Sequence, residues 1–138
     1  MRNAITLAAL AFMFAACNSA NNSHPSAKYE EKKASLEEME HDSPLKFLKV
    51  TGSCRGNLVN QTVVEGEVIN KSTLTSYKNV KLSITFLDNE GATIDKQKET
   101  LDDVMEPAST NSYKIKVGHV KGLSKVSVDI VDADAVTK

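Results

Sequence analysis

The stretch Tyr77 to Asp88, YKNVKLSITFLD, constrains the fold most. Val80, Leu82, Ile84 and Phe86 alternate with Lys81, Ser83 and Thr85. A period of two gives an extended strand one buried and one wetted face, and no helix can use it. Such a strand needs hydrogen-bonding neighbours at its sides and an apolar layer over its buried face. The run ends in Asp88-Asn89-Glu90-Gly91, where Asn and Gly tolerate positive φ and turn the chain. Ala92 to Leu101 then reads as the return strand, with Ile94 its main apolar residue and Lys and Glu along it, as suits an exposed edge.

The same pattern recurs on both sides. Phe47 to Arg55 and Thr62 to Ile69 read as two earlier strands. In the second, Gly66 shares the inward parity of Val64 and Val68, which points to close backbone approach or a bulge. After the turn Glu106-Pro107-Ala108-Ser109, the run Asn111 to Val117 alternates Tyr113, Ile115 and Val117 with Lys114 and Lys116. Leu123 to Val131 places Val126, Val128 and Ile130 on one face. Six or seven short strands without a convincing helix predict an all-β fold, an antiparallel two-sheet immunoglobulin-like sandwich. A small open barrel would give a similar pattern. The expected core is Val64, Val68, Val80, Leu82, Ile84, Phe86, Ile94, Tyr113, Ile115, Val126, Val128 and Ile130, enough for a domain of this size to fold without disulfides.

The charge layout separates this domain from what precedes it. Residues 18–44 carry three Lys against six acids, and residues 45–138 carry thirteen Lys or Arg against twelve acids. Neither segment has the basic field that nucleic acid requires, so nucleic acid is set aside as a partner. Residues 18–27, NSANNSHPSA, are too polar to bury a core. In the segment KYEEKKASLEEMEHDSP, Tyr29, Leu36 and Met39 stand at spacings of seven and three. This allows a marginal helix from about Lys28 to Glu40 or a charged spacer, since an isolated helix this short is weak in water. The 27 residues before Leu45 span ~29 Å as a flexible coil.

Residues that could carry chemistry are scattered. His24, His41 and His119 have no metal-ligand spacing. Cys54 shares the parity of Leu48 and Val50 and reads as a small buried residue, with a free thiol or an intermolecular bridge as the alternative. Arg55 beside it could lower the thiol pKa, but no His or Asp partner lies near. The acids Asp102, Asp103 and Glu106, and Asp129, Asp132 and Asp134, fit no calcium loop and read as solvated. Gly52 to Gly56 lacks the helix of a phosphate-binding loop. Glu65 and Glu67 are placed to face Lys114 and Lys116 across neighbouring strands. No catalytic residue, metal site or cofactor is expected.

The N-terminus places the protein. Arg2 precedes residues 4–16, AITLAALAFMFAA, whose only polar member is Thr6. A basic start followed by a short apolar run is a secretory signal pattern, and thirteen residues are too few to cross a bilayer. Phe14-Ala15-Ala16-Cys17 resembles the lipobox of bacterial lipoproteins, with Phe14 where Leu is usual. That resemblance implies a signal peptide over 1–16, acylation of Cys17 and a lipid-anchored tether over 17–44. The β-sandwich domain is expected over 45–138. Two or more acyl chains give stable membrane attachment. The expected location is the bacterial cell envelope, and Asn18, in place of a retention Asp, points to the outer membrane.

Within the domain, Gly66-Glu67-Val68-Ile69-Asn70, then Tyr77, Val80 and Leu82, then Phe86-Leu87-Asp88 before Gly91, then Pro107 and Tyr113, resemble the FxLYD-type domain of secreted bacterial proteins and lipoproteins. The likeness runs over roughly residues 47–131. Ala108 stands where that group has Gly, and Leu87 where Tyr is common. The resemblance implies an immunoglobulin-like or fibronectin-III-like sandwich and no activity, because the group shares no catalytic or ligand site. The expected function is therefore a non-catalytic protein-binding or assembly module. It would be held at the bilayer by acylated Cys17 and would act on an unknown envelope protein, with the 92–101 edge as one docking site. A module binding a small molecule or ion, and a Cys54-linked redox-sensitive dimer, are the alternatives.

Overall fold

A computed structural model describes residues 25–136, so the signal peptide and Cys17 lie outside the described residues. In chain order the elements are α1 (Pro25–Asp42), α2 (Pro44–Phe47), β1 (Leu48–Val50), β2 (Ser53–Gly56), β3 (Thr62–Asn70), β4 (Tyr77–Leu87), β5 (Thr93–Leu101), β6 (Thr110–Val117) and β7 (Lys125–Ala135). The strands form two antiparallel sheets. In one, β3 is central, with β6 on one side and β1 and β2 in succession on the other. In the other, β4 lies between β5 and β7. The architecture is the predicted two-sheet β-sandwich.

The period-two strand sits at its centre. Val80, Leu82, Ile84 and Phe86 on β4 are fully buried and meet Val64 and Val68 of β3 in one apolar cluster. Each such side chain contributes roughly 1.5–3 kcal/mol when removed from water. Tyr113 is also buried in this cluster, and Ile115, Val126, Val128 and Ile130 pack half-buried against it.

Ile94 does not belong to the core. It is exposed, because β5 is an edge strand that packs closely only on β4 and leaves most of its residues in water. The core gains Leu48, Tyr77, Met105, Val117 and Ala133 instead.

Two further expectations change at the N-terminal side. The predicted strand Phe47 to Arg55 is broken into β1 and β2, and Phe47 ends the short helix α2, whose Pro44 has its φ preset for a first helical turn. The break falls at Thr51-Gly52, where the backbone bends over Gly66. A Cβ at Gly66 would collide with the Thr51 carbonyl, which is the close approach its inward parity foretold. The charged segment before the domain is α-helical over all 18 residues of α1.

Candidate functional site

The sandwich has two ends. At one lie the β3–β4 loop (71–76), the β5–β6 loop (102–109) and the entry of α1 and α2. At the other lie the β2–β3 hairpin tip (57–61), the β4–β5 turn (88–92) and the β6–β7 loop (118–124). The nine residues of β3 separate the two ends by about 30 Å.

The junction end is built around Asn70, the last residue of β3 and almost wholly buried. Its Nδ2 donates to the carbonyls of Thr75, Met105 and Glu106, each at 3.0 Å, and its Oδ1 accepts from the Ser72 N–H at 2.9 Å. Backbone bonds from Asn70 N to Ser109 O and from Ala108 N to Ser72 O tie the two loops further. Asn suits this place because one side chain offers both an acceptor and a donor pair. Tyr77 and Met105 exchange two backbone hydrogen bonds just below.

The loop so formed holds the helix. Glu40, in the last turn of α1, is 1% exposed. One carboxylate oxygen accepts from the N–H and hydroxyl of Thr73 at 2.7 and 3.0 Å, and the other from the N–H groups of Leu74 and Thr75 at 3.0 Å each. In return the buried Tyr77 hydroxyl donates to the Glu40 carbonyl at 2.6 Å. Burial pushes the Glu40 carboxyl up, but the backbone bonds from Thr73 and Leu74 and the side-chain bonds outweigh it and hold it below its ordinary value. Burial, with the Glu40 charge nearby, pushes the Tyr77 phenol up to about 12. Apart from Glu40 and the half-buried Leu36, every residue from Ala27 to Asp42 is exposed, so α1 meets the sandwich through its final turn. Glu40 carried no signal that would set it apart from its neighbours Glu37 and Glu38; the nearest was the helical spacing that ends there.

The remaining sequence-predicted residues support the fold. Gly66 and Tyr113 are register partners, and the Tyr113 hydroxyl donates to the Thr51 carbonyl at 2.6 Å. Burial pushes this phenol also to about 12. Asp88 closes the β4–β5 turn by accepting from the N–H groups of Glu90 and Ala92 at 2.9 Å, and Gly91 takes φ +84° there. After Pro107, Ala108 adopts φ +55°, a left-handed conformation natural to Gly.

Cys54 lies half-buried opposite Val64 and packs on the core, and burial pushes its thiol up, so it stays protonated. Arg55 does not activate it; its Nε donates to Glu65 Oε1 at 3.0 Å. Lys114 Nζ stands 3.7 Å from the other Glu65 oxygen, one of the two cross-strand pairs expected. The second pair is absent because the register sets Glu67 opposite Ser112 and Lys116 opposite Val63. Asp132 pairs with Lys81 at 2.7 Å, and Asp134 accepts from Asn79, whose φ of +49° marks a bulge in β4. His41 lies 3.2 Å from Asp42, and His119 is exposed. Among the described residues no group of three or more His, Cys, Asp or Glu is placed to hold a metal, and no helix is long and apolar enough to cross a membrane.

At the far end the hairpin tip is tightly held. Asn57 Oδ1 accepts from Val59 N at 3.1 Å and Gln61 N at 2.9 Å, Asn57 N donates to Gln61 O, and Asn60 N to Asn57 O. Asn60 adopts φ +58°. This frame presents Leu58 and Val59, 105% and 71% exposed. A shallow cleft lies beside it, lined by Asn57, Gln61, His119, Val120 and Leu123. Comparison of the chain with protein-family models, with curated proteins and with solved structures finds no match.

Proposed function

We propose that this chain is a lipid-anchored protein of the bacterial cell envelope whose sandwich serves as a non-catalytic protein-binding or assembly module. The observation that carries the reading is the way the chain enters the domain. The helix α1 precedes the domain on the Cys17 side of the sequence and touches the sandwich through one turn, and among the described residues no element covers the far loops or the outer edges of β5 and β6. An uncovered edge keeps unpaired backbone donors and acceptors, which an added strand of an envelope protein satisfies. The lipobox-like FAAC and the FxLYD-like pattern point the same way.

Two measurements test it. The mass of the mature N-terminus should show Cys17 acylated, and the wild-type protein should partition into detergent; a bare Cys17 removes the anchor. For binding, a proline at Lys98 or Lys114 should reduce recovery of a crosslinked envelope partner. Unchanged recovery with both variants rules out strand addition at these edges. A Cys54-linked dimer is the competing account, and a non-reducing gel of wild type against Cys54→Ser separates it. The half-buried, protonated thiol gives that account little support.

A further inference from the structure

We infer that the β2–β3 hairpin tip is a second membrane contact, through which Leu58 and Val59 insert into the bilayer that anchors the chain. The inference rests on the anchored reading above and adds an orientation to it. Three observations lead there.

The first is exposure on a rigid frame. Leu58 and Val59 are among the most exposed apolar residues described, yet they sit in a loop whose N–H groups at Asn57, Val59, Asn60 and Gln61 are all used internally. Backbone donors already paired within the loop lose nothing on entering hydrocarbon, where water cannot replace a missing partner. The Leu58 N–H and the carbonyls of Leu58, Val59 and Asn60 have no partner in the loop, so the backbone stays at headgroup depth, where water still reaches it, while the two side chains enter the hydrocarbon.

The second is shape and size. The tip is a convex knob of two side chains. It falls far short of the ~800 Å2 per partner of a stable protein interface. A bilayer needs no complementary pocket, and a weak contact suffices where an anchor already keeps lipid at high local concentration.

The third is charge. Lys116 at the end of β6, Lys121 in the 118–124 loop and Lys125 at the start of β7 stand at this end and are exposed. Arg55 is taken up by Glu65. The nearby acids are Asp88 and Glu90 of the β4–β5 turn and Asp95 early in β5; Asp88 is engaged in closing the turn and Asp95 accepts from the Lys96 N–H and the Gln97 side chain. Near an anionic surface each free lysine adds about five-fold to affinity.

The anchor and the tip are joined through α1, whose 18 residues span about 27 Å, and the residues before it. The eight residues from Cys17 to Pro25 add up to ~28 Å of reach, so the anchor lets the tip come down to the same bilayer.

The chain contains no Trp, so Leu58→Trp supplies a unique reporter. The test uses the mature chain from residue 17 carrying Cys17→Ser, so that neither the signal peptide nor acylation contributes, with vesicles of three parts phosphatidylethanolamine to one part phosphatidylglycerol. The indole at position 58 should shift to the blue and be quenched by brominated acyl chains, while one introduced by Val131→Trp should not. Leu58→Ser with Val59→Ser should abolish vesicle retention at unchanged melting temperature, and Lys121→Glu with Lys125→Glu should weaken it on anionic vesicles only. An indole at position 58 that stays red-shifted and unquenched overturns the inference. So does a blue shift that appears on concentrating the protein without lipid, which means a second copy, or a benzophenone at position 58 that crosslinks to a protein in intact cells. Detergent partition of the wild type reports on the anchor separately, so loss of one contact is not mistaken for loss of the other.

Discussion

The two ends of the sandwich invert the usual placement of polar and apolar groups. At the junction end, Asn70, Ser72, Thr75 and the carboxylate of Glu40 are buried, and each of these side chains finds a partner; among the described residues no buried side-chain nitrogen or oxygen is left without one. At the far end, Leu58 and Val59 stand in water on a loop whose N–H groups at Asn57, Val59, Asn60 and Gln61 are bonded within it. A buried polar network stabilises only as a complete set, because each lost member strands the others. An exposed apolar pair adds nothing to folding and is free to serve another purpose. One end holds the molecule together, and the other faces outward.

That contrast can be broken most severely at Asn70. Asn70→Ala removes four hydrogen bonds and leaves the buried carbonyls of Thr75 and Met105, the partly buried carbonyl of Glu106 and the Ser72 N–H with less than their full set, so urea unfolding should show a loss of about 3–4 kcal/mol. A loss under 1 kcal/mol would mean that water replaces the side chain and the network is not closed.

Glu40→Ala comes next. It leaves the N–H groups of Thr73, Leu74 and Thr75 without their acceptor and should cost about 2–3 kcal/mol. It should also lower the helical circular dichroism signal while the sheet signal stays, since packing of the final turn on the sandwich is the tertiary support α1 has. The same residue predicts a pH dependence. Its folded pKa lies below the ordinary 4.5, so the contribution is complete at neutral pH and is lost as pH falls below 4.5 through the folded value. Glu40→Gln should flatten that part of the acid limb, and an unchanged limb would assign it to other carboxylates.

Ala108→Gly is smaller and has the opposite sign. The left-handed φ costs an L-residue roughly 1–2 kcal/mol, partly offset by the greater freedom of Gly when unfolded, so a gain of about 0.5–1 kcal/mol is expected. Last, Leu58→Ser with Val59→Ser should leave folding stability within about 0.5 kcal/mol of wild type, which would sharpen the contrast with Asn70.

The parts of the fold that were legible in the sequence are those that repeat. Val80, Leu82, Ile84 and Phe86 announce their strand because burial of one face forces a period of two. Gly66 announces a close approach because a missing side chain at an inward position needs a reason. Ala108 was read only as a residue standing where Gly is common, and its left-handed φ emerged with the fold. Ile94 misled because apolar character does not reveal whether the opposite sheet reaches far enough to cover it. Phe47 to Arg55 read as one strand because the break at Thr51-Gly52 depends on Gly66, far along the chain. Glu40 was hidden for a deeper reason. Three of the four groups that bind its carboxylate are main-chain N–H donors, which every residue but proline carries, so nothing at Thr73, Leu74 or Thr75 marks them as a receptor. The hairpin knob was equally silent, since Leu58 and Val59 become unusual only once the fold shows that no described residue lies over them.

The strand that opens the sandwich and the one that ends it finish side by side: Leu48 pairs with Asn70, and Ala135 with Tyr77. A fluorescent or affinity module joined after the last strand would therefore emerge beside the helix and leave the Leu58 hairpin unobstructed. The same neighbourhood makes the domain a candidate for circular permutation, with a short linker closing the old ends and new ones opened in the exposed β4–β5 turn.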